Sequence, residues 1–340
     1  MIDGFYRVGG ILTAAACIAA AAAAVEPEAT KVSQTRRLMG VAWTMTVCVA
    51  DIDAARLPLE AAFAEVARLE AILSDYEPTS EVSRLSARSP TAEPVPVSAD
   101  LWQVLDRAVR LRDATSGAFD PTVGPLVTLW RRARRAETMP PADKLAAARA
   151  AVGTDTLQLD RDRRGVRLTR PGMRLDFGGI GMGYAVDRAL DVLAAHGVSA
   201  ALVDASGDVG VSAAPPGEPG WRIAIRSRVP GAAAPPPLVL AHAAVTTSGD
   251  AFQGVEIDGV RYSHIVDPRS GLGVVGPSAV TVIAPDCTTA DALATAASVL
   301  GPDAGSRAIA EQDGVAARFE WLDPAGAVQT RVTPGWPETP

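Results

Sequence analysis

Residues 176–184, Asp-Phe-Gly-Gly-Ile-Gly-Met-Gly-Tyr, place four glycines directly ahead of a helical pattern carrying Tyr184, Ala185, Ala189, Leu190 and Leu193. No other stretch limits the fold as strongly. It demands a tight turn into a helix, with backbone N–H and C=O groups free to approach a neighbour or ligand closely. A helix N-terminus at that point favours an anion. The run is not the dinucleotide fingerprint G-x-G-x-x-G, because Tyr184 stands where the last glycine would have to be. Taken alone, it reads equally as a structural turn.

Composition removes several classes of function. The 340 residues are 48% hydrophobic, 21% charged and 5% aromatic, so a large core is available but must be built from Ala, Val and Leu. One large domain, or two intimate halves, is expected. A formal charge of −7 argues against nucleic acid as a partner, since such binding draws on cations that neutralise phosphate. Lys31 and Lys144 are the only lysines, which excludes a P-loop. His196, His242 and His264, with Cys17, Cys48 and Cys287, have no spacing that suits a zinc site. With Cys17 in the leader, at most one disulfide remains for the folded part.

Gly9 to Ala24 is an uncharged, Ala-rich run behind Arg7, and residues 1–24 read as a secretion signal with an Ala-x-Ala cut near Ala24. A retained anchor is the alternative, though 16 residues are few for a membrane span. Cys17 follows Ala14-Ala15-Ala16 as in a lipoprotein box, with Ala14 where Leu is usual. Arg36-Arg37 follows the apolar run and so is no twin-arginine signal. The mature protein is expected outside the cytoplasm, periplasmic or exported, with inner-membrane attachment through Cys17 or an uncleaved leader as the variant.

Residues 25–36 read as a linker, 37–333 as the folded domain and 334–340 as a tail. Val41 to Val49 reads as a strand. Leu59, Phe63, Val66, Leu69 and Leu73 recur at helical spacing, and Ser98 caps a second helix through Leu101, Leu105, Ala108 and Leu111. The run Arg131-Arg132-Ala133-Arg134-Arg135 reads as a solvated helix face. Residues 157–159 and 166–168 form a hairpin, and Ala200 to Val203 is a buried strand. Further strands are predicted at 221–225, 238–242, 254–257, 261–266 and 279–283, between Pro-rich surface loops, with a last helix over 289–300. Helices and strands mix without βαβ alternation, so the class is α+β, with mixed or antiparallel sheets packed against helices. No internal repeat is present.

Asp291 and Thr295 lie four apart on that last helix, about 40° from each other around its axis. A carboxylate beside a hydroxyl offers hard oxygen ligands suited to Mg²⁺, which completes its shell with phosphate and water. An Asp favoured by the helix dipole beside a neutral Thr is the plainer reading. His264 ends a strand in Tyr262-Ser263-His264-Ile265-Val266-Asp267-Pro268, and imidazole suits proton transfer near neutrality. His196, at a helix end, and His242, in a strand, read as structural.

Together these segments resemble the ApbE family of FAD:protein FMN transferases. The resemblance runs in order through Met39-Gly40, residues 73–85 (Leu-Ser-Asp-Tyr-Glu-Pro-Thr-Ser-Glu-Val-Ser-Arg-Leu), 116–122 (Ser-Gly-Ala-Phe-Asp-Pro-Thr), 176–187, Thr247-Ser248-Gly249-Asp250, His264-Ile265-Val266-Asp267-Pro268 and Asp291 to Thr295. It implies that Met39 and Tyr76 pack on the isoalloxazine of FAD, and that Ala118, Phe119, Asp120, Asp176, Met182 and Ile265 line the rest of the FAD site. It further implies Mg²⁺ held by Asp291, Thr295 and the carbonyl of Gly179, with His264 as general base. The implied reaction moves FMN from FAD to a Thr or Ser hydroxyl of an acceptor protein, commonly a membrane redox-complex subunit, and releases AMP. A metal-dependent FAD pyrophosphatase and a non-catalytic FAD-binding protein are the competing expectations. Four departures from the family pattern stand out: Met182 where Lys is frequent, Ser206 within Asp204-Ala205-Ser206-Gly207-Asp208, Ala251, and Ser263 where a first His is frequent.

Overall fold

The computed structural model describes residues 29–153, 156–249, 254–276 and 278–337. The leader, Cys17, Asp250 and Ala251 lie outside the described residues. The chain opens on a hairpin, β1 (Thr30–Leu38) and β2 (Val41–Val49), then runs through α1 (Ile52–Leu73) and the short α2 (Glu81–Ala87). A two-residue strand β3 (Val95–Pro96) precedes α3 (Ala99–Ala114), α4 (Gly124–Ala136), α5 (Ala142–Ala150) and the hairpin β4 (Leu157–Asp160) and β5 (Gly165–Leu168). Helix α6 (Gly181–Ala195) leads to β6 (Ala200–Ala205) and β7 (Asp208–Val211). Seven strands follow: β8 (Trp221–Ile223), β9 (Leu238–Leu240), β10 (Ala243–Gly249), β11 (Val255–Ile257), β12 (Val260–Val266), β13 (Gly273–Val275) and β14 (Ser278–Ala284). Helix α7 (Cys287–Ala310) and the hairpin β15 (Ala316–Leu322) and β16 (Val328–Val332) complete the chain.

Eight strands form one sheet in the order β1-β2-β6-β7-β10-β14-β15-β16, and every neighbouring pair is antiparallel. The fold is α+β, as expected. Alternation along the strands divides the sheet's two faces. Val47, Ala201, Val203, Ala244 and Val282 join the main core, where α1, α6 and α7 pack. Their neighbours Cys48, Ala200, Val245 and Ile283 face the other way, onto Trp221, Ile223, Leu238 and Leu240 of the β8–β9 hairpin. A third cluster joins α4 and α5 to β11 and β12 through Leu126, Trp130, Ala133, Ala148, Val255, Ile257 and Val266. Cys48 and Cys287 are buried, free thiols. Among the described residues no helix is long and apolar enough to cross a membrane.

Most predicted elements recur with small changes of boundary. Helix α1 buries Leu59, Phe63, Val66, Leu69 and Leu73 and is capped by Asp51, whose Oδ1 accepts the Ala54 N–H at 2.9 Å. Residues 30–36, expected to be linker, belong to β1. This strand is polar at most positions and sits at the sheet edge, so hydrophobic alternation does not betray it. It is held by its ladder with β2, by hydroxyl contacts Ser33–Thr46 (2.7 Å) and Thr35–Thr44 (2.9 Å), and by Arg36, whose guanidinium lies 4.5 Å over the Phe63 ring. The last helix continues past 300, with Gly301 (φ 73°) forming a non-helical kink ahead of Pro302. His242 is not in a strand but takes a left-handed conformation (φ 48°) in the turn between β9 and β10.

Candidate active site

The glycine run lies against the first turns of α7. Asp187 of α6 accepts the N–H groups of Cys287 (2.8 Å) and Thr288 (2.9 Å), so one helix caps the other and sets their spacing. A Cβ at Gly183 would fall 2.3 Å from the carbonyl oxygen of Cys287 and 2.9 Å from Cβ of Asp291; one at Gly179 would fall 2.6 Å from Oγ1 of Thr295. The Gly183 N–H donates to Oδ2 of Asp291 at 3.2 Å. The glycine run, bearing Gly179, and the Asp291–Thr295 pair, more than a hundred residues apart in the chain, therefore meet in one place. Gly183→Ala is expected to destabilise the fold by about 1–3 kcal/mol, because the two nearest obstructing atoms belong to the Cys287 carbonyl and cannot swing away. Urea unfolding of the variant checks this, and an unchanged midpoint would contradict the packing.

Asp291 is buried, and burial drives its carboxyl well above the ordinary range; Asp208 and Asp187 push it further up, while the Gly183 N–H opposes them. Among the described residues no cationic side chain counters them. Among the described residues no cluster of three or more His, Cys, Asp or Glu side chains is placed to hold a metal. The donors on offer are one carboxylate, one hydroxyl and one backbone carbonyl. Such a set fits a hard cation that takes few protein ligands, and a buried carboxylate with no cationic side chain beside it among the described residues suits such a cation. Asp208, quoted in sequence only as a departure from pattern, is a buried acid as well. Burial raises it to about 6 against the opposing Thr246 hydrogen bond and Arg228.

Tyr76, Asp75 and Asp176 are joined by Arg131 of α4, which corrects the reading of residues 131–135 as a solvated face. Arg132 and Arg135 are exposed, but Arg131 and Arg134, three apart, are half-buried beside the Trp130 and Ala133 stripe. Arg131 donates to Oδ2 of Asp75 at 2.5 Å and to Oδ2 of Asp176 at 3.3 Å, and its guanidinium carbon lies 4.0 Å from the Tyr76 ring centroid. Burial, with Asp75 next, raises the Asp176 carboxyl to about 6 although Arg131 pulls it down. The Asp176 N–H donates to the Pro121 carbonyl (2.9 Å), which ties it to the buried Ala118-Phe119-Asp120 segment, where Asp120 accepts from the Thr122 hydroxyl at 2.6 Å. Met182 packs half-buried on the main core in the first turn of α6. Met39 occupies the β1–β2 turn (φ 48°) and also packs on that core; the contacts that join Tyr76 to Asp176 do not extend to it.

His264 and Ile265 lie near the end of β12, where the Ile265 N–H donates to the Ser263 hydroxyl at 3.0 Å. The strand is fastened to α4 by Trp130, whose ring centroid is 5.1 Å from that of Tyr262 and whose Nε1–H donates to the Gly271 carbonyl at 2.8 Å. Burial, aided by Arg134 and Arg228, lowers the His264 imidazole to about 4, so it is neutral at pH 7. Its Nδ1 is buried without a hydrogen-bond partner among the described residues. Arg228 was missed in sequence, since nothing in a Pro-flanked loop marks it. Its side chain passes 3.0 Å from where a Cβ on Gly249 would stand, in the Thr-Ser-Gly segment.

A family profile described as the ApbE family matches residues 39–319. The fold is that of solved flavin transferases: the apo form of Pseudomonas stutzeri flavinyl transferase ApbE superposes with a TM-score of 0.79 at 33% identity, covering 90% of this chain and 95% of that one. An FAD:protein FMN transferase of Vibrio cholerae is 35% identical over 243 residues, 70% of this chain and 72% of its own. One of Haemophilus influenzae is 31% identical over 318 residues, 89% and 88% of the two chains. This chain belongs to the ApbE family.

Proposed function

We propose that this protein is an Mg²⁺-dependent FAD:protein FMN transferase. A Thr or Ser hydroxyl of an acceptor protein attacks the FMN-side phosphorus of FAD, the new P–O bond replaces the bond to the AMP phosphate, and AMP leaves. The observation that carries this reading is the meeting of Gly179, Asp291 and Thr295 where the glycine run lies on α7. Mg²⁺ held by these residues would offset the pyrophosphate charge and stabilise the leaving phosphate.

The chain's own residues supply the rest. Neutral His264 accepts the hydroxyl proton, because only the unprotonated ring can act as a base, and at pH 7 that form dominates. Arg134 and Arg228 lie close enough for their charge to bear on the imidazole, and that positive charge suits an anionic ligand. Tyr76 and Met39 stack the isoalloxazine, while Ala118, Phe119, Asp120, Asp176, Met182 and Ile265 line the remainder of the FAD site. The protein acts outside the cytoplasm on an acceptor such as a membrane redox-complex subunit.

Incubation of purified protein with FAD, Mg²⁺ and candidate extracytoplasmic acceptors tests this: flavin fluorescence should persist on the denatured acceptor, with one AMP per flavin attached. AMP and free FMN without acceptor labelling would identify a pyrophosphatase instead. FAD binding without AMP release would mark a binding protein.

A further inference from the structure

Tyr76 is an unusual residue on this surface. It is 74% exposed, in a loop that both neighbouring helices leave behind, yet it is not loose. The preceding residue is fixed twice: Arg174 donates to the Asp75 carbonyl at 2.6 Å, and Arg131 to its carboxylate at 2.5 Å. The Ser80 hydroxyl donates to the Ser74 carbonyl at 2.6 Å and closes the loop from the other side. Against the ring itself lies the Arg131 guanidinium, 4.0 Å from the centroid. Arg131 is no casual surface cation. Its side chain is 19% exposed, and the carboxylates of Asp75 and Asp176 that hold it are 9% and 7% exposed.

We propose that Arg131 is a positioning residue for the flavin: pinned between Asp75 and Asp176, it backs one face of Tyr76, so that the opposite face is a preformed stacking surface for an isoalloxazine. The inference rests on the reading of FAD as substrate. A planar guanidinium can lie flat on a ring while donating to two carboxylates, a geometry that a lysine ammonium cannot reproduce. A single exposed tyrosine otherwise loses rotamer freedom when a ligand stacks on it. Fixing it beforehand removes that cost from the binding step. The same guanidinium lets the Asp176 carboxylate stay in a buried position beside Asp75, so one side chain links the ring to the segment that leads into the glycine run.

The test measures FAD affinity by flavin fluorescence in the full-length protein and in R131K, R131M, Y76A and the R131M/Y76A double variant, with melting temperatures recorded for each. R131K and R131M are expected to bind FAD about tenfold more weakly. They should quench bound flavin less and raise KM for FAD with little change in kcat. In the Y76A background, R131M should add clearly less loss than it causes in the wild type, the remainder being what Arg131 contributes by holding Asp176. Should R131M fail to fold, R131K carries the comparison. Wild-type affinity and quenching in R131K and in any folded R131M would overturn the proposal, as would a full additional loss from R131M in the Y76A background. Absence of FAD binding by the wild-type protein would instead sink the assignment of FAD as substrate.

Discussion

His264→Ala is expected to leave FAD bound while transfer to the acceptor falls by about two to four orders of magnitude, the usual worth of a positioned general base. The imidazole is set on a strand that Trp130 fastens to α4, so its removal deletes a proton acceptor without disturbing the glycine run or Tyr76. Flavin titration and single-turnover labelling separate the two effects, and unimpaired labelling would remove the assignment. The protonation of the ring offers an independent check. With three histidines in the chain, an imidazole NMR titration is readable, and His264 should titrate near 4 in the free protein. Adding FAD should move that value up, because pyrophosphate charge counters Arg134 and Arg228. Because only the neutral ring is a base, activity should fall on acidification and not on mild alkalinisation.

Asp291→Ala is expected to abolish transfer and the response to Mg²⁺ together. The thermal signature is the more telling one. Wild-type protein should be stabilised by added Mg²⁺, by about 2.7 kcal/mol at a hundredfold excess over the dissociation constant, whereas the variant should show no such rise. Without metal the variant loses both the buried carboxyl and the acceptor of the Gly183 N–H, so the rise with Mg²⁺, and not the metal-free melting temperature, reports the site. A variant that still melts higher in Mg²⁺, or still labels its acceptor, would place the metal elsewhere.

The parts of this site that sequence disclosed are those whose meaning is local. A glycine run at a helix start, two glycines ahead of α6 and two in its first turn, Asp291 and Thr295 on one helix face, and a histidine at a strand end each make sense within ten residues. Arg131 does not. Its role depends on Asp75 and Asp176, which lie far off in the chain, and the run of arginines around it has the composition of a solvated helix. In the structure Arg131 and Arg134, three apart, flank the buried Trp130 and Ala133, which turns that part of the run inward. Arg228 carries no local mark at all. In the fold, β1 escaped because edge pairing is a property of the backbone, and a strand that buries little apolar surface leaves no hydrophobic alternation to read. Helix α7 was cut at Gly301 because the kink there ends one helical stretch, and the turns beyond it begin anew at Pro302.

The separation of the hydrophobic clusters has a consequence for how the site behaves between turnovers. The glycine run and the helix bearing Asp291 and Thr295 draw on the main core, while Arg131 and His264 ride on elements of the small cluster formed by α4, α5, β11 and β12. A small cluster with few buried neighbours opens at lower free energy than the body it leans on. A ligand touching both would therefore join two units of unequal cooperativity, and part of its intrinsic affinity would go into suppressing the partial opening of the smaller one.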